Sequence, residues 1–243
     1  MSGSLVEMVR AARSATFVDE DGDEYVLEFL PPLSAGEIDA FAASLPCPLP
    51  QDLRRLLAET RGFEGGVLER VDLTGQSIPF RQEVLFPHGV PLASDGFGNY
   101  WVVDLVEGST TWGPIYFVRH DPPVLLYQSD SLAEFLQEVF RACESLEGSL
   151  LDEVHEDRLY NVWKTNPGVM SYAQCQESAD AEIQKFIRGL DASWSVIDLR
   201  NASPGMGFCW GRYGPRTELK RHGKLPLFAY RRRRGFFRRL FGR

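Results

Sequence analysis

The clearest pattern in this sequence is a series of short apolar runs in the middle of the chain, rich in β-branched and aromatic residues. The runs occupy residues 90–93, 100–105, 115–118 and 124–127. Glycine, asparagine, aspartate and proline separate them, within residues 94–99, 107–113 and 121–123. Short apolar runs divided by such residues are typical of strands joined by tight turns. The pattern therefore predicts an antiparallel meander.

Apolar residues recur at helical spacing on both sides of this meander. The spacing predicts helices over residues 5–13, 34–45, 49–57 and 131–143. Two of them begin with a Ser-x-x-Glu sequence, Ser34 to Glu37 and Ser131 to Glu134, in which serine and glutamate bind each other's backbone amides. An Asp-Gly pair between the apolar residues 16–18 and 25–29 predicts a hairpin. Together these elements predict an α+β fold, with helices covering one face of an antiparallel sheet.

The pattern changes near residue 145. A polar stretch follows, with one predicted helix around residues 150–163 and another that carries Ile183, Phe186, Ile187 and Leu190. Strands are predicted at 194–199 and 225–230, with a candidate third at 206–213. These elements form either a small α+β module or an extension packed on the first part. The expected organisation is a domain over 1–145, a module over 146–230 and a basic tail over 231–243.

The charge is distributed very unevenly along the chain. The first 211 residues carry 33 acidic and 14 basic side chains, whereas the last 32 carry 12 basic and one acidic. An acidic body repels nucleic acid and attracts cationic partners, although it also simply aids solubility. With 44% hydrophobic residues and no apolar run near the ~20 residues of a membrane span, the chain is expected to be soluble. The amino terminus does not resemble a secretory signal, so a cytoplasmic location is predicted.

Enzymatic chemistry has little support in the sequence. The cysteines are far apart and form no Cys-x-x-Cys pair: Cys47, Cys143, Cys175 and Cys209. The histidines are scattered, and there is no Gly-x-Ser-x-Gly sequence. We therefore predict no catalytic residues, no metal site and no cofactor.

The most conspicuous small motif is Asp95-Gly96-Phe97-Gly98-Asn99. Phosphate-binding glycine loops lead into a helix, whereas this one leads into a predicted strand. A tight strand-linking turn is therefore favoured, because glycine and asparagine tolerate a positive φ. Two tryptophans flank the neighbouring strands. Trp101 is expected in the core, while Trp112, in a polar loop, is open to either core packing or partner binding.

The last 13 residues contain seven arginines together with large apolar side chains. On a helix the apolar residues share one face, opposite Arg238 and Arg239. The candidate tail residues are Arg231, Arg232, Arg233, Arg234, Phe236, Phe237, Arg238, Arg239, Leu240 and Phe241. Such a segment suits the surface of an anionic membrane, and docking on the acidic body or on a neighbouring subunit is an equal alternative. Nucleic acid is disfavoured because the acidic body opposes it.

Three stretches of the first 145 residues resemble the SUKH superfamily, which includes bacterial toxin-immunity proteins and fungal Smi/Knr-type regulators of cell-wall assembly. The first is the Leu-Pro helix at 49–57, followed by the glycine bend at 62–66. The second is the Asp-Gly turn between two strands, within 91–105. The third is the strand at 115–121, followed by the helix at 131–140.

The resemblance implies an α+β domain without catalytic activity that binds another protein, in bacteria typically a toxin. An acidic surface favours a basic, nuclease-type toxin, which must itself attract phosphate. The expected contacts are exposed residues of the strand-linking loops: Asp95, Asn99, Glu107, Trp112 and Asp121. A membrane-peripheral regulatory scaffold, anchored by the tail at the inner face of the membrane, is the alternative function, and a hydrolase within the carboxyl-terminal module is the third.

Overall fold

A computed structural model describes residues 4–19, 21–210 and 217–232 of the chain. Its helices are α1 (Leu5–Arg13), α2 (Ala35–Ser44), α3 (Gln51–Leu57), α4 (Leu132–Glu144), α5 (Leu150–Glu153), α6 (Leu159–Thr165), α7 (Tyr172–Gln176) and α8 (Ala181–Ile187). A π-helical turn over Val154–Arg158 joins α5 to α6. None of the helices in these ranges is both long and apolar enough to cross a bilayer.

The strands form two sheets and a separate two-stranded ribbon. In chain order they are β1 (Phe17–Val18), β2 (Glu24–Tyr25), β3 (Glu28–Phe29), β4 (Gly62–Glu64), β5 (Arg70–Asp72), β6 (Gly89–Ser94), β7 (Tyr100–Asp104), β8 (Ile115–His120), β9 (Pro123–Ser129), β10 (Met170–Ser171), β11 (Ser195–Asp198), β12 (Gly207–Cys209), β13 (Thr217–Arg221) and β14 (Leu227–Arg232). The large sheet has the order β12-β9-β8-β7-β6-β5-β4-β3, the small sheet β10-β11-β14-β13, and β1 pairs with β2. Every pair is antiparallel, which confirms the α+β fold and the predicted meander.

The large sheet is buried on both faces because its central strands are apolar on both. Along β7, Trp101 and Val103 face the core that includes helices α1 to α4. Val102, between them, faces a second core together with Ile197 and Phe228 of the small sheet. The alternation follows from the period of two in a strand. The helices are on one face as expected, and the small sheet, of which the sequence predicts β11 and β14 but not β10 and β13, covers the other face.

Two serines begin helices as predicted, with one difference. Ser34 and Glu37 form the complete reciprocal cap of α2. At α4, Ser131 Oγ accepts the Glu134 amide hydrogen at 3.2 Å, but the Glu134 carboxylate accepts from the backbone of Asp130 instead, at 3.0 Å. The second capping box is therefore only half formed, and Glu134 fastens the end of β9 to α4.

The carboxyl-terminal part of the chain packs tightly on the first part. Strand β12 pairs with β9, with Gly207 opposite Leu126, so the large sheet draws strands from both parts. The small sheet is joined to the large one through an ion pair between Arg221 of β13 and Asp104 of β7, both nearly inaccessible to solvent. Strand β13, strand β10 and helix α7 were not predicted from the sequence.

Candidate functional site

The turn between β6 and β7 is held by one carboxylate. Asp95 Oδ1 accepts the amide hydrogens of Phe97 at 2.8 Å and of Asn99 at 3.1 Å. Its other oxygen accepts from the Asn99 side chain at 2.5 Å. Gly96 and Gly98 have φ of 80° and 83°, in the left-handed region that favours glycine. This arrangement confirms the predicted tight, strand-linking turn at residues 95–99, named here the Asp95 turn.

The environment of Asp95 favours its ionised form. Burial alone would raise the pKa of this carboxyl group, but hydrogen bonds from His155, Asn99 and the two backbone amides lower the pKa to about 2. Hydrogen bonds to the charged form act in this direction. The carboxylate is therefore a fixed negative charge that keeps the turn in a single conformation.

Phe97 lies at the tip of the Asp95 turn and is 82% exposed. Large aromatic side chains are the most effective anchors of protein interfaces, and this one stands on a rigid support. The sequence pattern predicts a binding role for its neighbours Asp95 and Asn99 but not for Phe97. The available signal was a phenylalanine placed between two glycines in an otherwise polar loop.

A groove of about 830 Å³ lies beside this turn, between the β1–β2 ribbon, the β4–β5 turn and the end of α4. Its lining is acidic: Asp19, Glu28, Glu64, Glu69 and Glu144. It is also partly apolar, because Val18 and Val26 are 53% and 59% exposed. No lysine or arginine is among the described residues that line this acidic groove. Its chemistry suits a cationic chain with apolar side chains.

Glu69 connects the acidic groove to the Asp95 turn. Its carboxylate accepts a hydrogen bond from Ser94 Oγ at 3.0 Å, immediately before the turn. A side chain added at Gly96 would meet the same carboxylate at 3.3 Å. The turn and the groove thus form one continuous surface, which we call the Phe97 face.

The remaining residues that were expected to bind a partner lie elsewhere or are buried. Glu107 is exposed and pairs with Lys224 at 3.0 Å, and Asp121 is exposed in the β8–β9 turn. The expectation of exposure is wrong for Trp112, which is 5% exposed and packs edge-on against Phe41. It is also wrong for Asn99, which is 7% exposed because its side chain is used inside the turn. Asp95 was expected to be exposed as well, but its side chain is only 8% exposed because its carboxylate accepts the hydrogen bonds of the turn and of His155.

Arg231 pairs with one carboxylate from the acidic body and one from the neighbouring strand β13. Its guanidinium contacts Glu218 and Asp191 and lies 4.7 Å from the centre of the Trp194 ring. Arg231 and Arg232 both belong to strand β14. Residues 233–243, which carry the rest of the predicted basic tail, lie outside the described residues.

The structure gives the cysteines a packing role. Burial raises the pKa of the thiols of Cys47, Cys143 and Cys175, which disfavours the reactive thiolate. Among the described residues, no three histidine, cysteine or carboxylate side chains are grouped so as to hold a metal ion.

Comparison with known proteins gave one match. Residues 32–138 match the family model described as SMI1 / KNR4 family (SUKH-1). No curated protein and no solved structure matches the chain. The matched segment contains the Asp95 turn, along with Glu64 and Glu69 of the acidic groove, and it ends within α4.

Proposed function

We propose that this protein is a non-catalytic binding module that neutralises a cognate bacterial toxin by covering its active surface, because residues 32–138 match the family model described as SMI1 / KNR4 family (SUKH-1). SUKH domains are known as immunity-like proteins, which supports protein binding in general. The bound protein is a toxin, and the Phe97 face makes the contact.

The exposed ring of Phe97 is the observation that carries this proposal. An apolar side chain that is 82% exposed leaves its contact with water when a partner covers it, and the transfer of apolar surface from water is favourable. The Asp95 turn is already ordered by four hydrogen bonds to one carboxylate. Binding therefore costs little conformational entropy at this position.

The acidic groove beside Phe97 supports a cationic partner of the nuclease class. A nuclease must attract phosphate, so its active surface carries positive charge, which the groove complements. Glu28 and Glu144 are exposed at the groove, where they steer the approach of a basic protein more than they hold it afterwards. The acidic groove thus accelerates association with a cationic partner, and the contact of Phe97 slows its dissociation.

The first experiment is rescue of growth and co-purification with the toxin encoded beside this protein's gene. Phe97→Ala should weaken the complex by about 2 kcal/mol or more, roughly thirty-fold in Kd, and reduce rescue. Val84→Ala is the matched control, because Val84 is also exposed, at 55%. It belongs neither to the Asp95 turn nor to the lining of the acidic groove. Equal effects of the two variants would contradict the Phe97 face.

A second experiment separates charge from the aromatic anchor. The double variant Glu28→Gln and Glu144→Gln should lower the association rate and weaken its dependence on salt, while the dissociation rate changes little. Glu83→Gln, an exposed acid beside Val84, is the control for a general loss of negative charge. A partner whose association rate is indifferent to salt would not be the cationic toxin proposed.

A further inference from the structure

His155 lies in the π-helical turn over Val154–Arg158, between α5 and α6. Turns of this kind are rare, and they are often found where a helix must bring one side chain to a particular place. The residue is outside the family-matched segment, which ends at residue 138. It therefore belongs to the part of the chain whose role the family does not explain.

The imidazole ring of His155 is held in place by core aromatic residues. It stacks on Trp101, with ring centres 5.8 Å apart and planes at 29°. The edge of Phe117 meets it at 5.2 Å and 77°. Both partners are almost fully buried. The ring consequently has a fixed position relative to strands β7 and β8.

From this position His155 contacts the Asp95 turn. Its Nε2 lies 3.4 Å from Asp95 Oδ2, and its Nδ1 lies 3.1 Å from the Glu156 carboxylate. The Asp95 side chain is only 8% exposed. The other hydrogen bonds to that carboxylate come from Phe97 and Asn99, inside the turn. His155 thus joins a locally closed turn to the body of the protein.

We propose that His155 is a positioning residue for the Asp95 turn, through which the carboxyl-terminal part of the chain fixes the conformation that presents Phe97. The contact itself is a property of the free protein, and only its consequence for binding rests on the function proposed above. A turn fixed before binding raises affinity by reducing the entropy lost in the complex. The carboxyl-terminal part thereby contributes to recognition without touching the partner.

The test is amide hydrogen exchange in the full chain, followed at the backbone amides of Phe97 and Asn99, which both donate to Asp95. His155→Phe keeps an aromatic ring against Trp101 but has no nitrogen to bind the carboxylate. His155→Gln loses the ring but keeps a donor. A hydrogen bond to a charged group is strong enough that its loss should accelerate exchange at these amides at least about ten-fold.

The proposal expects fast exchange at the Asp95 turn in His155→Phe and slower, nearly wild-type exchange in His155→Gln, with the amides of β8 unchanged in His155→Phe. The opposite order would show that ring packing, not the contact with Asp95, holds the turn, and it would overturn the proposal. Unchanged exchange in His155→Phe would also overturn it. The hydrogen-exchange experiment is done on the free protein, without a toxin. Its result is therefore independent of whether the protein rescues growth, so either proposal can be contradicted while the other stands.

Discussion

Arg221 binds Asp104 through both terminal guanidinium nitrogens, at 2.6 and 2.8 Å, although 117 residues separate them in the chain. The same guanidinium donates to the carbonyl of Leu85 at 2.7 Å. Burial raises the pKa of Asp104, and the hydrogen bonds and charge of Arg221 oppose that rise. The pair is thus stable only as a unit, in which each member compensates the other's loss of water.

Removing one member of this pair should destabilise the fold strongly. Arg221→Met leaves Asp104 buried without its cation, and we expect the free energy of unfolding to fall by about 3–5 kcal/mol. Urea denaturation measures the change. Arg54→Met is the control, since its pair with Asp39 is partly exposed and should contribute at most about 1 kcal/mol. A similar loss of unfolding free energy in both variants would mean that the contribution of the Arg221–Asp104 pair to stability does not depend on its burial.

The close approach of β12 to β9 predicts an intolerance to side chains at Gly207. A Cβ atom there would lie 1.9 Å from the carbonyl oxygen of Leu125, so Gly207→Ala must displace the strand and should cost about 1–3 kcal/mol or more. Gly36→Ala, in helix α2, is the opposite case, because nothing lies within 4 Å of the added atom. Because Gly36 lies in the first turn of the helix, that variant should gain at most about 0.5 kcal/mol. Thermal unfolding of both distinguishes the steric effect from a general effect of glycine replacement.

The lowered pKa of Asp95 predicts a loss of stability in acid. Because the folded-state pKa, about 2, is below the unfolded value near 4, the ionised carboxylate stabilises the fold above about pH 4 and stops doing so as the pH falls towards 2. The contribution is about 2 kcal/mol at neutral pH. The difference in unfolding free energy between the wild type and Asp95→Asn should therefore shrink over this range. A difference that stays constant with pH would contradict the assignment.

Trp112 and Phe97 should respond oppositely to replacement by alanine. Trp112 is buried against Phe41, so Trp112→Ala should cost about 3–5 kcal/mol of stability. Phe97→Ala removes an exposed ring and should change stability by no more than about 0.5 kcal/mol. Chemical denaturation of the two variants in parallel checks this. If Phe97→Ala were as destabilising as Trp112→Ala, Phe97 would be a packing residue rather than an anchor for a partner.

The meander could be predicted from the sequence because its strands are apolar and its turns contain residues that end strands. The four predicted runs agree with β6 to β9 to within two residues at each end. Strand β13 could not be predicted, because its sequence, Thr-Glu-Leu-Lys-Arg, is mostly polar. Its conformation depends on pairing with β14, a contact that no local pattern encodes.

The candidate site was predicted only in part, for a similar reason. The Asp95 turn could be predicted because its glycines lie within the turn itself. The burial of Asp95 depends on His155, sixty residues later, and that of Trp112 depends on Phe41 in helix α2. A polar loop in the sequence suggests that its side chains are exposed. Whether they are exposed depends on elements distant in the chain that pack over the loop.

The position of β12 has a practical consequence for dissecting this protein. A truncation at residue 145 would uncover the peptide groups of β9 that pair with Gly207–Cys209, along with Val118 and Leu125, which are otherwise enclosed by the small sheet. An uncovered strand edge next to an uncovered apolar surface promotes aggregation. A recombinant fragment that stops after α4 should therefore be poorly soluble, and so should one that stops at residue 138, where the family match ends, because it also lacks β12 and the small sheet.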